Sequence, residues 1–138
     1  MANLRVFIDS NILIYTDDKR FPEKQQIANN LVDFHLRRRS GVISIQVLQE
    51  YYSVTTSKLR IDPVVAREKV EILSSLYVFQ PTTDDILGAI DIHRLHQFSF
   101  WDGLILRSSI QSGCRILLSE DLQHGRRIEG IEITNPFV

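Results

Sequence analysis

The chain has a single cysteine, no apolar run long enough to span a bilayer and no surplus of basic charge, and each shortage removes a class of protein. One thiol, Cys114, cannot close an internal disulfide, and its neighbours Ile116, Leu117 and Leu118 point to a buried, inert group in a reducing cytoplasm. The N-terminus lacks a basic patch and its apolar run is cut at Asp9, so neither a signal peptide nor a membrane anchor is expected. Repeats, low-complexity tracts and interdomain linkers are also missing, and residues 1–138 read as one soluble domain. At 43% hydrophobic and 24% charged, that length is enough to bury a core without staples.

What is present is alternation. Short β-branched runs at Leu4 to Ile8, Val42 to Ser44, Tyr77 to Phe79, Arg115 to Leu118 and Ile131 to Thr134 are separated, through the fourth, by stretches of helical periodicity. Pro22 and Pro63 suit first helical turns, and Asp62 suits the cap before Pro63. Thr82 with Asp85 reads as a capping box, and Ser112-Gly113 as a helix end. Strands joined through helices pair in parallel, which predicts an α/β/α sandwich around a five-stranded, mainly parallel sheet. In such sheets ligands gather at the carboxyl ends of the strands.

Four acids fall at that edge. Asp9 follows the first strand in "RVFIDSNILIY", where a helix cap is the competing explanation. Glu50 in "SIQVLQEYYSVTTSKL" shares a helical stripe with Val47 and Val54, as a purposeful charge or as a glutamate tolerated at the stripe's margin. Asp102 in "FSFWDGLILRSSIQSG" lines up with Ile105, Leu106 and Ser109, again with a capping alternative, and Phe98, Phe100 and Trp101 before it read as packing rather than a base-stacking platform. Asp121 follows the fourth strand in "RILLSEDLQHG", beside Ser119 and Glu120, as a turn residue or a site acid. Two like charges about 4 Å apart cost on the order of 4 kcal/mol at an effective dielectric near 20, so such a cluster needs protonation or a cation. An oxygen-only donor set selects Mg²⁺ or Mn²⁺, and the chemistry implied is metal-assisted phosphoester hydrolysis by an activated water.

Together, "FIDSNILIY", the Glu of "VLQEYYSV", "FSFWDGLIL", "ILLSEDLQHG" and the closing "ITNPF" resemble the PIN-domain family, in particular its VapC-like toxins, from end to end and in the family's order. The resemblance implies a cytoplasmic Mg²⁺- or Mn²⁺-dependent endoribonuclease acting on single-stranded RNA. It implies Asp9, Glu50, Asp102 and Asp121 as metal-site acids, and Asn11 as the polar residue orienting the first of them or a bound water. Ser10 and Ser119 follow as supports. It also implies a homodimer inhibited by a VapB-like antitoxin. Gly103 stands where relatives often carry Ala, at a small cost in helix propensity.

The net charge of −1 does not oppose an RNA substrate, because with the four site acids set aside the 16 basic residues outnumber the remaining 13 acids. Arg37, Arg38 and Arg39 suit a solvated helix end, Lys58 and Arg60 are undecided, and Arg126 and Arg127 lie better for guiding substrate. Asp17 and Asp18 read as a helix end and loop. His93 and His96 with Asp91 invite a zinc reading, but no third ligand has suitable spacing. Two rivals remain: a catalytically silent RNA-binding module of the same fold, and a haloacid-dehalogenase-like phosphatase. The latter resembles Asp-x-Asp, and Asn11 occupies its second acid's position.

Overall fold

The structure, a computed structural model, describes residues 4–138. In chain order its elements are β1 (Val6–Ile8), α1 (Ser10–Tyr15), α2 (Pro22–Arg38), β2 (Gly41–Ser44), α3 (Ile45–Ser57), α4 (Pro63–Leu73), β3 (Tyr77–Phe79), α5 (Thr83–His96), α6 (Phe100–Gln111), β4 (Ile116–Leu118), β5 (Arg127–Ile128) and β6 (Ile131–Thr134). They build one sheet of order β3-β2-β1-β4-β6-β5, parallel throughout except for β5 against β6. The sheet therefore has six strands, one more than the sequence predicts. The extra strand is two residues long and pairs Arg127 with Glu132 and Ile128 with Ile131 across a tight turn at Glu129 and Gly130, both at positive φ.

The punctuation behaves as its chemistry requires. Asp62 accepts from the backbone N–H of Val64 at 2.8 Å, and Thr82 and Asp85 form the reciprocal capping box that opens α5. Ser112 ends α6 before Gly113 at φ +77°. Among the described residues no helix is long and apolar enough to cross a membrane.

β1 forms the middle of the sheet, and Phe7 and Ile8 are fully buried with Val42, Ile43 and Leu117 of the flanking strands. Each such side chain contributes roughly 1.5–3 kcal/mol by leaving water. Helices α1 to α4 pack among themselves, while α5 and α6 pack closely as a pair. The crossovers run outward from β1 to β3 and then back to β4, and with the right-handedness that parallel crossovers follow this puts the two helical groups on opposite faces. The same reversal leaves a crevice beyond the carboxyl ends of β1 and β4, where adjacent crossovers depart in opposite directions.

The α5–α6 pairing depends on Gly103. A Cβ there would lie 2.7 Å from the carbonyl oxygen of Ala89, so the residue that costs helix propensity allows two backbones to touch. Cys114 is buried as expected, and burial pushes its thiol up to about 11.

Candidate active site: an acid cluster in the crevice

Asp9 is the last residue before α1 and is 5% exposed. It caps the helix by accepting from the Ser10 backbone N–H at 2.8 Å, and it also accepts from the Ser119 hydroxyl at 2.8 Å. Capping and site membership are thus one arrangement. Burial raises its pKa to about 7, opposed by the Ser119 and Ser10 hydrogen bonds and reinforced by the negative charges of Glu50 and Asp121.

Asn11, two residues on, links the strand ends. Its Nδ2 lies 3.2 Å from Asp9 Oδ2, 3.3 Å from Ser119 Oγ and 3.1 Å from Asp121 Oδ2, and its Oδ1 accepts from the Glu120 backbone N–H at 3.0 Å. One amide with two N–H groups serves three oxygens, so it ties β1 to the loop after β4 without adding charge. Ser119 closes the link by accepting from the Asp121 backbone N–H at 3.2 Å.

Glu50 and Asp102 arrive from α3 and α6. The Ser10 hydroxyl lies 3.4 Å from Glu50 Oε2, while Glu50 Oε1 is buried with no hydrogen-bond partner. Burial raises the Glu50 pKa, Gln46 and Ser10 oppose the rise, and Asp102 and Asp121 add to it. Asp102 is raised by burial too, with Ser99 opposing and Asp121 adding. Its capping alternative does not hold, because the cap of α6 is Ser99, which accepts from the Asp102 backbone N–H at 3.1 Å. The predicted stripe does hold: Ile105, Leu106 and Ser109 are all buried. Glu50, half-buried beside fully buried Val47 and Tyr51, occupies the stripe's margin.

The remaining acids show what structural carboxylates look like in this molecule. Buried Asp18 is held by the Arg20 guanidinium, and Asp85 by Arg107. Asp17 is held by Lys69 and the Tyr51 hydroxyl. Glu120 turns away from its neighbour Asp121 to Lys24 and Tyr15, which outweigh its burial and lower its pKa. Among the described residues, none of Asp9, Glu50, Asp102 and Asp121 has an ion pair.

Some neighbours depart from expectation and others keep to it. Trp101 is 63% exposed rather than packed, although Leu104 and Ile105, three and four residues on along its helical row, are buried. Only Phe98 of its aromatic group is buried. Arg126 is engaged, stacked over Phe98 with its Nη2 on the His96 carbonyl, and Arg127 faces Glu132. Arg37 to Arg39 close α2 at the amino end of β2, the edge opposite the acids. His93 contacts the Phe98 carbonyl and His96 faces Glu129, so they share no ligand. Gln46, one turn before Glu50, escaped the sequence reading although its four-residue spacing puts it on the same helical row.

The donor set suits a hard divalent cation. It is all oxygen and without ion pairs, neighbouring carboxylates add to the raised pKa values of Asp9, Glu50 and Asp102, and Glu50 keeps an unpartnered oxygen. Among the described residues no three His, Cys, Asp or Glu side chains are close enough together to enclose an ion directly.

A PIN domain profile matches residues 6–128. Among solved structures, the chain is similar to the DNA-bound VapBC complex from Salmonella typhimurium, with TM-score 0.68 and 20% identity over 96% of this chain and 98% of that one. It is also similar to VapC20 of Mycobacterium tuberculosis, a toxin that cleaves the sarcin–ricin loop, with TM-score 0.62 and 16% identity over 81% and 86%. No curated protein matches at a significant level.

Proposed function

The chain belongs to the PIN-domain family, and from that premise we propose that it is a Mg²⁺- or Mn²⁺-dependent endoribonuclease cleaving single-stranded RNA, the VapC-like toxin of a toxin–antitoxin pair. The observation that carries this reading is the meeting of four unpaired carboxylates from β1, α3, α6 and the loop after β4 in one crevice, bridged by the neutral Asn11. The structural neighbours agree in kind: one is a toxin that cleaves the sarcin–ricin loop, and the other is a VapBC complex.

Of Asp9, Glu50, Asp102 and Asp121, one or two would bind the cation directly and the others through its waters. Bound there, it would supply positive charge against the phosphate and make an attacking water more acidic. The chain's own groups do the rest. Asn11 and Ser119 hold the Asp9 carboxylate in a single orientation. Glu50 and Asp102, half-buried with raised pKa values, are suited to accept the water's proton as its oxygen bonds to phosphorus and the phosphorus–oxygen bond to the leaving ribose breaks. A phosphatase of the Asp-x-Asp kind needs a proton donor at Asn11, whose amide is committed to three oxygens.

Homodimerisation and inhibition by a VapB-like antitoxin follow from the same reading. The test is incubation of purified protein with labelled single-stranded RNA, with Mn²⁺ and with chelator, beside an Asp102→Asn control. Cleavage that needs both the cation and Asp102 supports the proposal. Equal cleavage by the control assigns the activity to a contaminant, and RNA binding without cleavage makes the protein a silent binding module.

A further inference from the structure

Next to the acids lies a cavity of about 410 Å³ lined by Gln46, Gln49, Glu50 and Trp101. Its size is within the roughly 300–1,000 Å³ usual for small-ligand sites. Three features distinguish it from an ordinary surface hollow. Trp101 is 63% exposed and makes only an edge contact with Phe100, centroids 5.1 Å apart at 73°, so much of the indole is open to solvent. Among the described residues, the two buried side-chain oxygens without a hydrogen-bond partner, Gln46 Oε1 and Glu50 Oε1, both belong to residues of this wall. Glu50 is shared with the acid cluster, and Trp101 precedes Asp102 in the chain.

We propose that Trp101, Gln46 and Gln49 form a subsite that takes one unpaired base of an RNA strand whose backbone lies across the acid cluster. This rests on the nuclease reading for its substrate class. An exposed aromatic face costs solvation unless something flat covers it, and a nucleobase stacks there without regard to sequence. With Glu50 Oε1 given to the cation, Gln46 Oε1 is the acceptor left unpartnered on this wall, and it calls for a ligand that brings an N–H group. A base edge carrying an exocyclic amine or ring N–H does so, and the two glutamine amides answer its acceptors. A base in a duplex offers neither its face nor its pairing edge, so the site would favour unpaired strands.

Trp101 is the chain's one tryptophan, so its fluorescence reports this site alone. Wild-type protein in chelator is titrated with a short mixed-sequence single-stranded RNA, and binding of the same labelled RNA is followed by anisotropy for wild type, Trp101→Phe and Trp101→Ala. Expected are saturable quenching, binding weakened roughly 5- to 150-fold by Trp101→Ala, the range of one lost stack, and most of it retained by Trp101→Phe. With Mn²⁺, Trp101→Ala should raise KM by a similar factor and leave kcat nearly unchanged. Absence of quenching both in chelator and with Mn²⁺, equal quenching by the duplex form, or unchanged binding by Trp101→Ala overturns the subsite. So does emission that follows protein concentration instead of RNA, which would assign the indole to a contact between copies. The two readings fail separately: cleavage with an unaltered KM in Trp101→Ala removes the subsite alone, whereas stacking without any cleavage removes the nuclease and leaves the subsite.

Discussion

Replacing Asp9 with asparagine should change how stability depends on pH, and the structure fixes both the sign and the scale. In the folded protein burial holds the Asp9 carboxyl at about 7, against an ordinary value of 3.8 in the unfolded chain. Below 3.8 both states are protonated and the group has no pH effect. As pH rises toward 7 the unfolded chain releases the proton while the folded chain retains it, so wild-type stability falls; above 7 both are ionised and the loss is complete. About three pH units at 1.36 kcal/mol each give a loss of about 4 kcal/mol from this one side chain, a large part of a typical domain's stability. The amide of the Asp9→Asn variant cannot titrate, so the difference between the two proteins reports the carboxyl at position 9 and its coupling to its neighbours. Urea unfolding in chelator at several pH values between about 4 and 8 should therefore show the variant gaining on wild type up to neutrality and then running parallel to it. The slope is the test, because exchanging a carboxylate for an amide beside Ser119 and Asn11 also adds an offset that pH does not change. Curves parallel over the whole range would refute the buried, charge-crowded Asp9. At pH 7.5, millimolar Mg²⁺ or Mn²⁺ should raise the melting temperature of wild type and scarcely that of the variant, since a cation at a hundred times its Kd stabilises by about 2.7 kcal/mol.

Two further outcomes follow from packing. Gly103→Ala should destabilise the protein by about 1–3 kcal/mol, because the new methyl meets the Ala89 carbonyl at 2.7 Å and this outweighs the better helix propensity; a variant as stable as wild type in urea would show that α5 and α6 do not approach so closely. Cys114 should react with Ellman's reagent at pH 8 only after unfolding in guanidinium, since its thiol is buried and pushed up to about 11; stoichiometric labelling of the native protein within minutes would contradict that.

The sheet edge was legible in the sequence because a polar residue directly after a β-branched run has few places to go. Asp9 and Asp121 are fixed that way by the ends of β1 and β4, and Glu50 and Asp102 by the row each shares with apolar neighbours. What was not legible depends on small angles and on contacts across the fold. Trp101 and Asp102 are adjacent in sequence, and nothing local announces that Asp102 joins the acids while Trp101 stays 63% exposed on the wall beside them. β5 has no pattern of its own, since two residues become a strand only when the Glu129-Gly130 turn brings β6 alongside. Gly103 looked like a mild weakness because the backbone it must admit belongs to α5. Arg126 looked free for substrate because nothing local announces the Phe98 ring beneath it.

The distribution of charge carries the functional argument further than any motif. Where this protein buries a carboxylate for structure it supplies a cation: Arg20 for Asp18, Arg107 for Asp85, Lys69 for Asp17. In the crevice it supplies neutral donors instead, namely Asn11, Ser10, Ser119 and the backbone. Those donors hold the carboxylates in place without neutralising them, and Lys24, which reaches this edge, is tied to Glu120 rather than to Asp121. An arginine at position 11 would pair with Asp9 and Asp121 and relieve their repulsion at once, which is the arrangement a purely structural cluster would favour. Keeping Asn11 there sacrifices stability to preserve negative charge at one point in the crevice, which is the charge that the proposed cation with its phosphate ligand would use.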